Sequence, residues 1–150
     1  MILGHLAIPI LESHYLDADI VPTTAGGLFP DVLDKSVCQV LNISTHGRLW
    51  GHTLLGLVVS TLIVGALRDR RTAWSWALGY VGHLIADLES PIPILYPFAT
   101  YSMPDSPPIS ETLHHFATDP ARLLPELALV IWAAWVLLHP KQRATSLQAS

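Results

Sequence analysis

The stretch Gly79–Ser90, GYVGHLIADLES, sets His83 and Asp87 four residues apart in a run of mostly apolar residues. The pattern predicts a helix, and residues i and i+4 of a helix lie on one face. An ionised carboxylate in a low-dielectric setting is costly unless it is paired or bound to a metal. The pair therefore calls for partners elsewhere in the chain.

The composition says what surrounds it. Of 150 residues 13% are charged, against about 25% in an ordinary soluble domain. Hydrophobic residues make up 51% and the mean hydropathy is +0.42. So few charges cover a soluble surface poorly, and the favoured class is integral membrane rather than a small soluble all-helical protein. The length fits one domain, here residues 1–143, with 144–150 read as a disordered tail. A net charge of −4 gives nucleic acid no electrostatic footprint. Cys38 is the single cysteine, so no intrachain disulfide forms. The start, MILGHLAIPILESHYL, has no basic residue ahead of its apolar run and reads as part of the fold.

Along the chain, 4–16 reads as a short helix ending in the polar stretch DADIVPTT. AGGLFP then leads into Asp31, and DVLDKSVCQVLNI reads as a helix of a few turns before the loop STHGRL. Residues 50–67 are apolar apart from His52, Thr53, Ser60 and Thr61, and RDRR at 68–71 punctuates them. A helix over 73–89 precedes a segment with six prolines between Pro91 and Pro108, which is read as irregular. A short helix over 110–116 and a final helix over 122–138 complete the pattern. Crossing a membrane core takes about 20 apolar residues, more than the runs 54–67 and 127–138 supply. The expected fold is all-α: a compact helical membrane bundle of about four or five helices, with short or partly inserted spans. Arg68, Arg70, Arg71, Lys141 and Arg143 follow the two clearest runs. The positive-inside bias then puts both helix ends on the cytoplasmic side.

If 50–67 and 73–89 form an antiparallel hairpin, His52 lies about 27 Å from the turn, His83 about 17 Å and Asp87 about 23 Å. The three meet toward the end remote from the arginines. His5, Asp31 and Asp34 in GGLFPDVLDK, and Arg48 and His52 in GRLWGHTLL, extend the set. Imidazole with carboxylate suits Zn²⁺, or alternatively Mn²⁺.

In order, GGLFPDVLDK, GRLWGHTLL and LGYVGHLIADL…PIPILYPF resemble the successive motifs of the membrane-bound metal-dependent hydrolases, the YdjM-like family, over residues 3–100. The resemblance implies a hydrolase and leaves the substrate open. The order His, Asp, His, His-x-x-x-Asp is also similar to that of zinc-dependent phospholipases C. By that analogy His5, Asp31, His52, His83 and Asp87 would be ligands of one or two ions, with Asp31 also a base. The chain departs from the family where Asp31-x-x-Asp34-Lys35 replaces a tighter Asp-x-Asp-His. It departs again where Gly47 precedes Arg48 and His46 stands one place further back, so Asp34 and His46 are additional candidates only. His115 and Asp119 form a second His-x-x-x-acid pair, read as part of a surface loop.

The expectation is a multi-pass cell-membrane protein with its site near the extracytoplasmic boundary. There a metal-activated water attacks a phosphoester or similar bond of a lipid or amphiphilic substrate, with Arg48 holding an anionic group. Two other readings fit the same residues. One is a non-catalytic membrane protein with a structural metal or an ion pathway. The other is a metal-free cluster of hydrogen bonds between helices, with Asp87 paired to Arg48 as a structural bridge.

Overall fold

The structure, a computed structural model, describes residues 3–41, 47–105 and 109–139. Among these residues there are six α-helices and no strand. They are α1 (Gly4–Tyr15), α2 (Ile20–Lys35), α3 (Leu54–Leu67), α4 (Arg70–Ala86), α5 (Ile109–Thr118) and α6 (Pro120–Leu138). A π-helical turn, Ser36–Val40, extends α2, and a 3₁₀ turn, Trp50–His52, precedes α3.

The closest pairing is between α2 and α4, which run parallel in a constant register. The Asp19 N–H donates to Ser75 Oγ at 2.9 Å, and the His83 ring donates through Nδ1 to the Gly27 carbonyl at 2.7 Å, each pair 56 residues apart. Between them, at the same offset, the Thr23 carbonyl lies against Gly79. A Cβ at Gly79 would overlap that carbonyl, and one at Gly26 would overlap the Trp76 carbonyl. Small residues one turn apart let two backbones approach, the usual way helices associate without a solvent-driven hydrophobic force. One further turn along the same register come Asp31 and Asp87.

The other helices follow from their ends. Thr53 caps α3 by accepting from the Gly56 N–H at 2.9 Å, and Asp69 caps α4 by accepting from Arg71 and Thr72. Asp119 caps α6, with Pro120 at its first turn, where a proline lacks no needed donor. Glu126, buried on α6, accepts from the Leu3 and Gly4 N–H groups and so caps α1 from across the bundle. Further along, the Trp132 ring N–H donates to the Tyr15 hydroxyl at 3.1 Å. Contacts at both ends of α1 make α1 and α6 parallel, and Ala7, Leu11, Ala133 and Val136 fill the space between them. Arg71 pairs with Asp19 at 2.9 Å beside the α1–α2 turn. His5, Asp31, His52 and Asp87 therefore lie at one end of the bundle and the arginine turn at the other.

Several sequence expectations change. The polar stretch before Ala25 and the piece ending at Pro30 are one helix, α2, because packing on α4 overrides the local breakers. Residues 50–52 form a tight turn rather than the start of the apolar helix. α4 begins and ends three residues early, so Asp87 is its C-cap rather than a residue of its last turn. The short helix expected over 110–116 is α5, Ile109–Thr118, and it carries His115, so the loop reading of the His115–Asp119 pair does not hold. Among the described residues there are six α-helices where four or five were expected.

Long apolar side chains remain exposed on α3, among them Leu55, Val58, Val59 and Leu62, and on α6, among them Leu124, Ile131 and Trp135. Among the described residues α6 is the one helix long and apolar enough to cross a membrane, and little of it is buried within the protein. The 14 residues of α3 are apolar but shorter, about 21 Å at helical rise.

Candidate metal centre

Asp34 sets the architecture of the site. Its carboxylate is 1% exposed. It accepts from the Leu49 N–H at 2.6 Å, the Gly51 N–H at 2.8 Å and His52 Nδ1 at 2.7 Å. Three donors around one carboxylate fix the 49–52 turn and hold the His52 ring. They also fix its tautomer: with Nδ1–H donating to Asp34, neutral His52 presents a lone pair at Nε2. The fully buried Tyr80 hydroxyl donates to the Gly51 carbonyl at 2.6 Å and secures the same turn to α4.

His83 is fixed in the same way. A carbonyl can only accept, so the bond to Gly27 places the His83 proton on Nδ1 and its lone pair on Nε2. The two Nε2 atoms, of His52 and His83, lie 3.2 Å apart. With both rings neutral their Nε2 lone pairs would repel at that distance; a proton on one Nε2, or a metal ion beside the pair, relieves it. Each ring has its outer nitrogen tied to a carboxylate or a backbone carbonyl, the arrangement that orients metal-ligating histidines.

The remaining groups converge on the same point. His5 stacks on His83 with ring centres 4.1 Å apart and meets Asp87 Oδ1 at 3.1 Å. His52 Nε2 is 3.4 Å from Asp87 Oδ2 and 3.7 Å from Asp31 Oδ1, and His5 Nδ1 is 3.8 Å from Asp31 Oδ2. Two triads, His5–His83–Asp87 and Asp31–His52–His83, each bring one ligand atom per residue within 4.8 Å of one another. Arg48 reaches Asp87 Oδ2 with Nε at 3.0 Å and Nη2 at 2.9 Å, and Lys35 reaches Asp31 at 2.6 Å.

Burial disfavours charge on Asp87, yet hydrogen bonds to His5 and His52 and the Arg48 guanidinium hold its carboxyl well below the usual range. Burial also works against a charged His52, but Asp34 and Asp87 raise it above the ordinary imidazole value. The cluster thus favours positive charge at His52, as a proton or as a neighbouring ion.

All five expected ligands, His5, Asp31, His52, His83 and Asp87, meet here. Asp34 belongs to neither triad and stands behind His52. His46 lies outside the described residues. His115 and Asp119 are elsewhere: His115 lies 3.6 Å from Glu111, and Asp119 pairs with Arg122 and caps α6. Arg48, expected to face a ligand, is also the charge partner of Asp87. Lys35, itself exposed, pairs with Asp31 one turn before it on α2. The roles of Gly27 and Tyr80 were missed, although the four-residue ladders Asp19-Thr23-Gly27-Asp31 and Ser75-Gly79-His83-Asp87 are present in the sequence.

A family model described as YdjM inner membrane protein matches residues 1–146. The chain belongs to this family. No curated protein and no solved structure matches it. YdjM membership places the chain at the inner membrane, in keeping with the exposed apolar faces of α3 and α6. The family description says nothing of chemistry.

Proposed function

We propose that this YdjM-family protein is a metal-dependent hydrolase acting on a phosphoester or similar bond of a membrane lipid or other amphiphile. The observation that carries the reading is the opposed pair of Nε2 atoms at 3.2 Å, with Asp31, Asp87 and His5 converging on it. A proton shared between two imidazoles needs only those two rings. Three further buried or half-buried ligand groups fit an ion better, and the imidazole–carboxylate set suits Zn²⁺ or Mn²⁺. His5, Asp31, His52, His83 and Asp87 would hold it. His83 has one ring nitrogen not committed to Gly27, so it can serve only one ion, and the two triads are read as parts of a single centre.

A bound Zn²⁺ or Mn²⁺ would supply Lewis-acid polarisation and make water more acidic. The chain's own groups do the rest. Asp34 keeps the His52 lone pair aimed inward. Asp31, the one half-exposed member of the triads, is placed to accept a proton from water arriving from outside. The Arg48 side chain, 31% exposed, holds Asp87 through Nε and Nη2 and offers its Nη1 N–H groups to a phosphoryl oxygen. The parallel course of α3 and α6, both leaving the site end, supports a multi-pass arrangement with the arginine turn cytoplasmic and the site toward the opposite boundary.

The test is metal content by mass spectrometry of detergent-purified protein, wild type beside Asp87→Asn, followed by phosphodiester hydrolysis assays. One zinc or manganese per chain, lost in the variant and accompanied by hydrolysis in the wild type, is the expected result. Metal-free wild type, purified without chelators, refutes the reading. A metal-replete protein inert toward every phosphoester offered would favour a structural ion instead.

A further inference from the structure

An apolar cavity of about 450 Å³ lies between α2, α3 and the segment after Pro93, walled by Phe29, Leu33, Trp50, Val59, Ile63 and Tyr96. Its volume falls within the roughly 300–1,000 Å³ of small-molecule sites. We infer that it holds one hydrocarbon chain of a membrane lipid, and, resting on the hydrolase reading above, that this is the chain of the substrate.

Three observations choose the occupant. The first is polarity. Thr53 and Ser60 also line the cavity, but their hydroxyls are engaged within the protein. Thr53 donates to the Trp50 carbonyl and accepts from Gly56, while Ser60 donates to the Leu57 carbonyl and accepts from the Trp76 ring. Those hydroxyls are turned to protein partners rather than to a polar ligand. The second is continuity. Leu55, Val59 and Ile63, which line the cavity, are also among the exposed apolar residues of α3, so the cavity and the lipid-facing surface of a YdjM-family protein are one apolar face. The third is position. Trp50 and Thr53 flank His52, and Leu33 precedes Asp34, so the cavity shares the 50–53 turn with the metal centre. Its far wall is pinned there too, by the Leu54 N–H donating to the Ile94 carbonyl at 2.9 Å. A lipid chain seated in the cavity brings the lipid's polar end toward that turn. In a bilayer such seating gains nothing from leaving water, so shape decides it.

The test reconstitutes the full-length protein in phosphatidylglycerol vesicles containing a trace of the same lipid with a diazirine on one acyl chain. Photolabelled peptides are then mapped by mass spectrometry. Labelling should concentrate on residues 29–33 and 59–63. It should fall several-fold in Val59→Trp, which fills the cavity, and stay unchanged in Leu62→Trp, an exposed α3 position that does not line it. Ile63→Trp should reproduce the loss if Val59→Trp does not fold. Labelling spread evenly over α3 and α6, or undiminished by either filling variant, overturns the inference. Metal analysis of the same samples separates the two proposals. A labelled cavity in metal-free protein supports the chain site and removes the hydrolase reading; metal without cavity labelling removes the chain site alone.

Discussion

Replacing Asp34 tests whether the site is organised from behind its ligands. The carboxylate touches no candidate ligand except through His52 Nδ1, yet it receives three donors, two of them on Oδ2 (Leu49 N–H and His52 Nδ1) and one on Oδ1 (Gly51 N–H). In the Asp34→Asn variant the amide oxygen would therefore take the Oδ2 position, keeping both bonds there, and the amide nitrogen would face the Gly51 N–H. His52 stays oriented, one buried bond is lost, and the ring loses its anionic support. Asp34→Ala removes every acceptor, orphaning two backbone N–H groups at about 1–3 kcal/mol each, and releases His52. Loss of such an orienting group weakens metal affinity by about 10- to 100-fold, or about 1.4–2.8 kcal/mol. Asp34→Asn should lie near the lower bound and Asp34→Ala at or beyond the upper one. Zinc affinity by chelator competition, with thermal midpoint as a control for folding, reads both. Unchanged affinity in a folded Asp34→Ala protein would refute the idea that Asp34 sets the His52 lone pair, and equal losses in the two variants would refute the orientation argument.

Gly79→Ala drives a Cβ into the Thr23 carbonyl; overpacking of this kind costs about 1–3 kcal/mol, so the thermal midpoint in detergent should drop and metal content with it. Glu126→Ala strips the cap from α1, and hydrogen exchange of the Leu3 and Gly4 amides should rise while those of α4 stay protected. Thr53→Ala removes the α3 cap at about 0.5–2 kcal/mol, seen as a lower midpoint. His115→Ala should leave metal content unchanged, since that side chain lies on exposed α5; loss of metal would place it in the centre after all.

The helical class, the membrane setting and the identity of the converging residues are legible in the chain before it folds. Composition carries the membrane setting, because so few charges cover a soluble surface poorly, and the apolar patterning carries the helical class. Spacing carries much of the third, because His52, His83 and Asp87 fall at one end of any hairpin closed at RDRR. The rest came with folding. Packing against α4 made α2 continuous through Pro30, a long-range contact that local propensity does not encode. Folding also assigned Asp34 to the rear of His52 and Arg48 to Asp87, since which atom faces which depends on the path of the 47–53 segment. Above all, the carbonyl of Gly27 and the carboxylate of Asp34 each take the Nδ1 side of a histidine ring and so turn the two Nε2 atoms toward each other. The positions of ligands can be read from spacing along a helix, but the direction of a lone pair is set only by the partner on the far side of the ring.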